Sequence, residues 1–119
     1  MSKRRVVVTG LGIVSPLGST IDSTWAAVLR GESGIGLITR FDTTAFPTKI
    51  AGAVRDFDVS QYISPKEARR MDEFMHYGVA AGMQAYVDSG LVPEKLDPER
   101  AGVVSGAGIG GLASIESEH

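Results

Sequence analysis

Arg5-Val6-Val7-Val8-Thr9-Gly10-Leu11-Gly12-Ile13-Val14-Ser15-Pro16-Leu17-Gly18 decides how the rest of the chain is read. Its first part is a continuous apolar run closed by glycine, the pattern of a strand buried on both faces. Its second part is a glycine-spaced loop. Asp22, Ser23 and Thr24 then offer N-cap oxygens to a short helix. Trp25, Val28 and Leu29 form its apolar stripe, and Gly31 suits the C′ stop. Strand, glycine loop and helix are the first step of an α/β alternation.

The alternation continues downstream. Residues 31–47 are punctuated by Gly31, Gly34, Gly36 and Pro47 and read as loop, with a short extended piece at 35–38. Residues 49–54 form a second candidate strand, interrupted by Gly52. Ser64-Pro65-Lys66-Glu67 is the sharpest local signal. Ser64 is placed as N-cap, Pro65 as first helical residue and Glu67 as the partner in a capping box. The helical pattern runs to about Asp88, with a break near Asp72, which can cap a second helix. Phe74, Tyr77, Ala81, Ala85 and Asp88 track one side. Gly78 and Gly82, four apart, are placed to let the helix lie close to another element. Pro93 and Pro98 bracket a surface connection. Gly102-Val103-Val104-Ser105 reads as a third strand, 106–111 as a second glycine-rich turn, and Leu112 onward as the opening of another helix. A parallel component is expected. Such sheets need both faces covered. Three strands are too few, so these residues are expected to be part of a larger domain.

Composition narrows the function. The 119 residues are 43% hydrophobic and 22% charged, which fits one globular domain at most. A net charge of −2 gives no electrostatic case for nucleic acid. No run approaches the roughly 20 apolar residues that span a bilayer. The basic start Met1-Ser2-Lys3-Arg4-Arg5 leads into a strand too short for a signal peptide, so a cytoplasmic address is expected. There is no cysteine. Disulfides, thiolate metal ligands and a cysteine nucleophile are thereby excluded from this chain. His76 is the single internal histidine and has no partner at ligand spacing, so no metal site is expected. Ser15, Ser105 and Ser114 lack a G-x-S-x-G elbow.

Three constellations remain. Gly10 and Gly12 fit the start of G-x-G-x-x-G, but the third position is Ser15 and Pro16 follows. A tight loop packing a helix on a sheet outweighs nucleotide binding here. A standalone α/β module for a small molecule or nucleotide stays as the alternative. Lys66, Arg69 and Arg70 recur at i, i+3 and i+4, either as a cationic patch for an acidic partner or as an ordinary solvated face. Ile109 is a bulky β-branched residue among Gly and Ala, with Gly108 and Gly110 freeing its backbone. It either lines or gates an apolar cavity or plugs the core of a tight strand–helix turn.

Taken in order, several stretches resemble the β-ketoacyl-acyl-carrier-protein synthases. They are Val8-Thr9-Gly10-Leu11-Gly12-Ile13-Val14-Ser15-Pro16-Leu17-Gly18 and Gly31-Glu32-Ser33-Gly34-Ile35, then Phe41-Asp42-Thr43 with Ala51-Gly52. Lys66-Glu67-Ala68-Arg69-Arg70-Met71-Asp72 and Gly106-Ala107-Gly108-Ile109-Gly110-Gly111 complete the set. The likeness covers essentially the whole chain and is closest to the synthase II type. It implies a thiolase-like layered α/β/α/β/α fold, of which residues 1–119 are an incomplete N-terminal portion. It implies homodimers in the intact enzyme, with acyl carrier protein and acyl and malonyl thioesters as partners, and no metal or organic cofactor. An acyl group passes to an active-site cysteine, malonyl-carrier protein is decarboxylated and the two are joined by Claisen condensation. A thiolate suits this as nucleophile and leaving group, with backbone amides stabilising the oxyanion.

None of that catalytic set falls in this chain, and His76 and His119 do not inherit the histidine roles. Activity is therefore expected of the intact enzyme and not of these residues alone. Two roles carry over by position. Ile109, hinged by Gly108, is similar to the gatekeeping isoleucine of the acyl pocket. Lys66, Arg69 and Arg70 match basic positions that help dock the carrier protein. Pro65 stands where a basic residue is common, which reduces that patch. A non-catalytic, chain-length-factor-like partner is a third reading.

Overall fold

The structure, a computed structural model, describes residues 3–119. The chain divides into two compact units. One is Ile13–Asp58; the other joins the residues up to Gly12 with Val59–His119.

In Ile13–Asp58, the glycine loop closes on itself: Ser15 N donates to Gly18 O at 2.9 Å and Gly18 N to Ser15 O at 3.2 Å. Thr24 Oγ1 also donates to Gly18 O, at 3.1 Å. Helix α1 spans Ile21–Leu29. Its N-cap is Thr20, not one of the three residues that follow Ile21. Thr20 is extended, its hydroxyl accepts the Ser23 amide, and Ser23 returns a bond to the Thr20 backbone. The closed turn just before delivers Thr20 in that extended geometry, so the helix starts one turn early. It ends at Arg30, followed by Gly31 in the left-handed region at φ 69°, as expected. The apolar stripe is a correction. Trp25, Val28 and Leu29 are all exposed, and Ala27 is the buried residue of α1.

Arg30 grips Glu32 with two guanidinium bonds, of 2.6 and 3.2 Å. The contact raises the Arg30 pKa and holds the Glu32 carboxyl below its usual range, chiefly through the side-chain hydrogen bond. Strand β1 (Ile35–Leu37) pairs antiparallel with β2 (Ile50–Gly52), with Gly36 opposite Ala51. Both short pieces fall where the sequence places them. Gly52 is tolerated because a Cβ there would lie only 3.1 Å from the Pro16 ring. The loop between the strands holds an edge-to-face pair, Phe41 and Phe46, with centroids 5.6 Å apart.

In the other unit, a 3-10 turn at Val59–Gln61 leads to α2 (Pro65–Ala68) and α3 (Glu73–Ser89). Another 3-10 turn at Pro93–Lys95 and helix α4 (Leu112–Glu118) follow. Ser64 caps α2 by accepting the Glu67 amide at 3.3 Å. The reciprocal half of the capping box is absent, because the Glu67 carboxylate takes the Ser64 hydroxyl instead, at 2.6 Å. The break near Asp72 is where expected. Gly90 ends α3 at φ 65°.

The face of α3 carrying Ala81, Ala85 and Asp88 receives the first glycine loop. A Cβ on Gly12 would sit 1.9 Å from Ala81 O, and one on Gly10 would sit 2.1 Å from Ala85 O. Only glycine permits that approach. Leu11 N donates to Asp88 Oδ2 at 2.9 Å and locks it. The close approach therefore belongs to the alanine face. Gly78 and Gly82 do not provide it, since a Cβ on either would meet nothing within 4 Å.

The first and third expected strands are the main correction. Residues 5–10 and 102–105 carry no ladder, and the one sheet among the described residues is the antiparallel β1–β2 pair. The parallel component does not form. Val103 and Val104 are 96% and 99% exposed, and Val6, Val7 and Val8 are also exposed. A strand exists only through its neighbours, and these two runs have none among the described residues. The apolar core is correspondingly small: Ala27 in one unit, Ile63 and Ala80 in the other. Met1 and Ser2 of the basic start lie outside the described residues.

Candidate functional site

The site features lie in the unit built on α3. Lys66 is in α2, Arg69 is its C-cap, and Arg70 N bonds Glu67 O at 2.9 Å, so helical geometry carries past the end of α2. The three cations are exposed on this turn, and none is ion-paired to a described residue. The acid of the same turn, Glu67, takes the Ser64 hydroxyl at 2.6 Å and pairs with none of them. The corner to α3 is braced by His76, whose Nε2 donates to Ala68 O at 2.9 Å. That carbonyl contact gives His76 a structural role. No group of three or more His, Cys, Asp or Glu able to hold a metal occurs among the described residues.

The other side of α3 bears a row at i, i+4 spacing, Met75, Val79, Met83 and Val87, which Met71 extends from the corner before the helix. This row and the extended segment at 103–107 enclose an apolar groove of about 640 Å³. Gly78 and Gly82 also line it, and their missing side chains widen it. The i, i+4 spacing of this row is legible in the sequence, whereas the segment that completes the groove, 103–107, is not. Ser105, Gly106 and Ala107 form the end of the groove that leads into the turn carrying Gly108 and Ile109.

Ile109 is 72% exposed. The turn is fastened just beyond it. Gly110 takes φ 80°, and Gly111 lies against the Asp72 carboxylate so closely that a Cβ there would be 1.6 Å from Oδ2. Ser114 donates its hydroxyl to Asp72 Oδ1. In the sequence Asp72 is legible only as a helix cap. In the structure it sits at the N-cap position of α3 without making the cap bond. Nothing in the sequence pairs it with a serine 42 positions away.

Gly10 and Gly12 are consumed by contact with α3, so the first glycine loop behaves as the packing device the sequence favoured over a phosphate cradle. No helix among the described residues is long and apolar enough to cross a membrane.

A chain with two glycine turns, an exposed basic turn and an apolar groove has counterparts among solved structures. The fold is a portion of the thiolase-like ketosynthase architecture. The chain superposes on the ishigamide ketosynthase/chain length factor with a TM-score of 0.67 and 35% identity, over 80% of this chain and 24% of that one. A type II PKS acyl-carrier protein in complex with its ketosynthase bound to the hexaketide matches with a TM-score of 0.61 and 31% identity, over 82% of this chain and 24% of that one. Residues 3–119 match the family model described as beta-ketoacyl synthase, N-terminal domain, and the chain belongs to that family. Among its relatives, 3-oxoacyl-[acyl-carrier-protein] synthase 2 of Vibrio cholerae is 56% identical over all 119 residues, and that of Coxiella burnetii is 47% identical. The chain spans 29% of the length of each of these relatives.

Proposed function

We propose that residues 1–119 are the N-terminal portion of a ketosynthase domain. The full-length polypeptide that carries them is a condensing enzyme of type II fatty acid synthesis, of the synthase II type. The observation that carries this reading is the 56% identity to a 3-oxoacyl-[acyl-carrier-protein] synthase 2 along the entire chain. The reaction begins with attack of a cysteine thiolate on an acyl-carrier thioester, releasing the carrier thiol. Malonyl-carrier protein then loses CO2, and the carbanion attacks the acyl-enzyme carbonyl and expels the thiolate. The chain has no cysteine, so the nucleophile lies outside these residues.

What this chain supplies is docking and pocket shape. Lys66, Arg69 and Arg70 present unpaired positive charge to an acidic carrier protein, which raises the rate of encounter. Ile109, between Gly108 and Gly110, gates the acyl pocket. Its exposure on a glycine-hinged turn beside an apolar groove supports that role. The enzyme works as a homodimer in the cytoplasm.

The test is condensation of acyl-carrier and malonyl-carrier substrates by the full-length protein, with Ile109→Phe as the diagnostic variant. The wild type is expected to condense, and residues 1–119 alone to be inactive. Ile109→Phe is expected to lower activity on long acyl chains more than on short ones. Equal loss at all lengths removes the gate assignment, and no condensation by the full-length wild type removes the enzyme reading.

A further inference from the structure

The 106–111 turn is exposed on the side leading from residues 103–105 and held on the side leading into α4. Three contacts hold it. Ser114 Oγ donates to Asp72 Oδ1. Gly111 has no Cβ where the Asp72 carboxylate lies. The Phe74 ring comes within 3.8 Å of the Cβ position of Gly110. An aspartate at the start of a 17-residue helix ordinarily accepts an amide of the first turn. Asp72 forgoes that bond and turns its carboxylate to Ser114. Its own backbone is held by the corner that His76 braces against Ala68 O, and by the Met75 amide, which donates to Asp72 O at 2.9 Å. A carboxylate on a braced corner, bonded to the first turn of a seven-residue helix, acts as a clamp on that helix.

We propose that Asp72 is a positioning residue that clamps the α4 end of the Ile109 turn and so sets how long an acyl chain the gate admits. The inference rests on the gate reading of Ile109. With the clamp closed, movement of Ile109 is confined to the glycines on either side of it. With the clamp open, the first turn of α4 moves as well, and the isoleucine is displaced more easily. Asp72 touches no reacting atom in this scheme, so its effect falls on chain-length selectivity and not on the chemistry.

The experiment measures kcat/KM of the full-length protein on a long and a short acyl-carrier substrate. The variants are Asp72→Ala, Ser114→Ala, their combination, Asp72→Asn and Ile109→Phe. Removing either partner of the bond is expected to raise the long-to-short ratio about threefold to tenfold. The KM for the short substrate is expected to stay unchanged. The combination is expected to do no more than either single change, because both delete one bond. Asp72→Asn keeps an acceptor for the Ser114 hydroxyl and is expected to stay within about twofold of wild type. A ratio unmoved by Ser114→Ala and Asp72→Ala, while Ile109→Phe moves it, overturns the clamp and leaves the gate standing. A ratio unmoved by Ile109→Phe overturns the gate itself. Equal loss at both lengths in Ser114→Ala assigns the bond to general stability and also overturns the clamp. Ser114→Ala changes a residue outside α3, so it carries the test should Asp72→Ala fail to fold.

Discussion

Asp42 holds its proton weakly because Thr44 bonds the charged form twice. The Thr44 hydroxyl donates to Asp42 Oδ1 at 2.6 Å and the Thr44 amide at 2.9 Å. The hydroxyl bond is the larger cause of a carboxyl pKa below the usual aspartate range. The folded value is depressed, so the turn gains stability above the ordinary aspartate pKa and loses it as pH falls through the lower folded value. The Thr44 amide resonance is therefore expected to titrate with a midpoint below that of an unperturbed aspartate. A midpoint at or above the ordinary value contradicts the bonded turn. This turn links the Phe41–Phe46 pair to Lys49, whose ammonium donates to Thr44 O at 3.0 Å.

At the scale of elements, α3 has two faces with opposite demands on glycine. On one, Gly12 is wedged against the Ala81 carbonyl; on the other, Gly78 faces open space. Gly12→Ala is expected to destabilise by about 1–3 kcal/mol through overpacking. Gly78→Ala is expected to stabilise by about 0.5–1 kcal/mol by removing a mid-helix glycine. Denaturant titration of the full-length protein by far-UV circular dichroism compares the two, and the same sign for both contradicts this division of α3. The basic turn of Lys66, Arg69 and Arg70, proposed above to dock the carrier protein, is tested at the same scale. Lys66→Glu with Arg69→Glu in the full-length protein is expected to raise KM for the carrier substrate about tenfold at low salt, and less as salt screens the charges. An unchanged KM at low salt removes the docking role.

For the whole molecule, the decisive fact is how little is buried. Among the described residues three apolar side chains form the core, while Val6, Val7, Val8, Val103, Val104 and twenty other large hydrophobics face solvent. A chain of about this size folds cooperatively only when most of its apolar surface leaves water. Residues 1–119 by themselves are therefore expected to bind a hydrophobic dye and to melt over a broad range. A single sharp transition without dye binding counts against the small core described here. In the full-length protein the same dye is expected to bind far less, as further chain covers the valine runs.

Local chemistry was legible in the sequence because it needs only near neighbours. The Ser64 cap, the break at Asp72, the stops at Gly31 and Gly90, the short β1 and β2 pieces and the exposed turn of Lys66, Arg69 and Arg70 all follow from residues a few positions apart. So does family membership, carried by motifs spread over the whole chain. What required the tertiary structure depends on distant partners. Residues 5–10 and 102–105 have the composition of strands, but pairing is a property of neighbours, and here they stay unpaired and exposed. The small residues that let α3 approach the first loop are Gly10 and Gly12 with Ala81 and Ala85, a match across some seventy positions in the manner of the Leu11–Asp88 bond. The clamp of Asp72 on Ser114 spans 42 positions and leaves no local trace, because a hydrogen bond needs its two atoms adjacent in space and not in sequence.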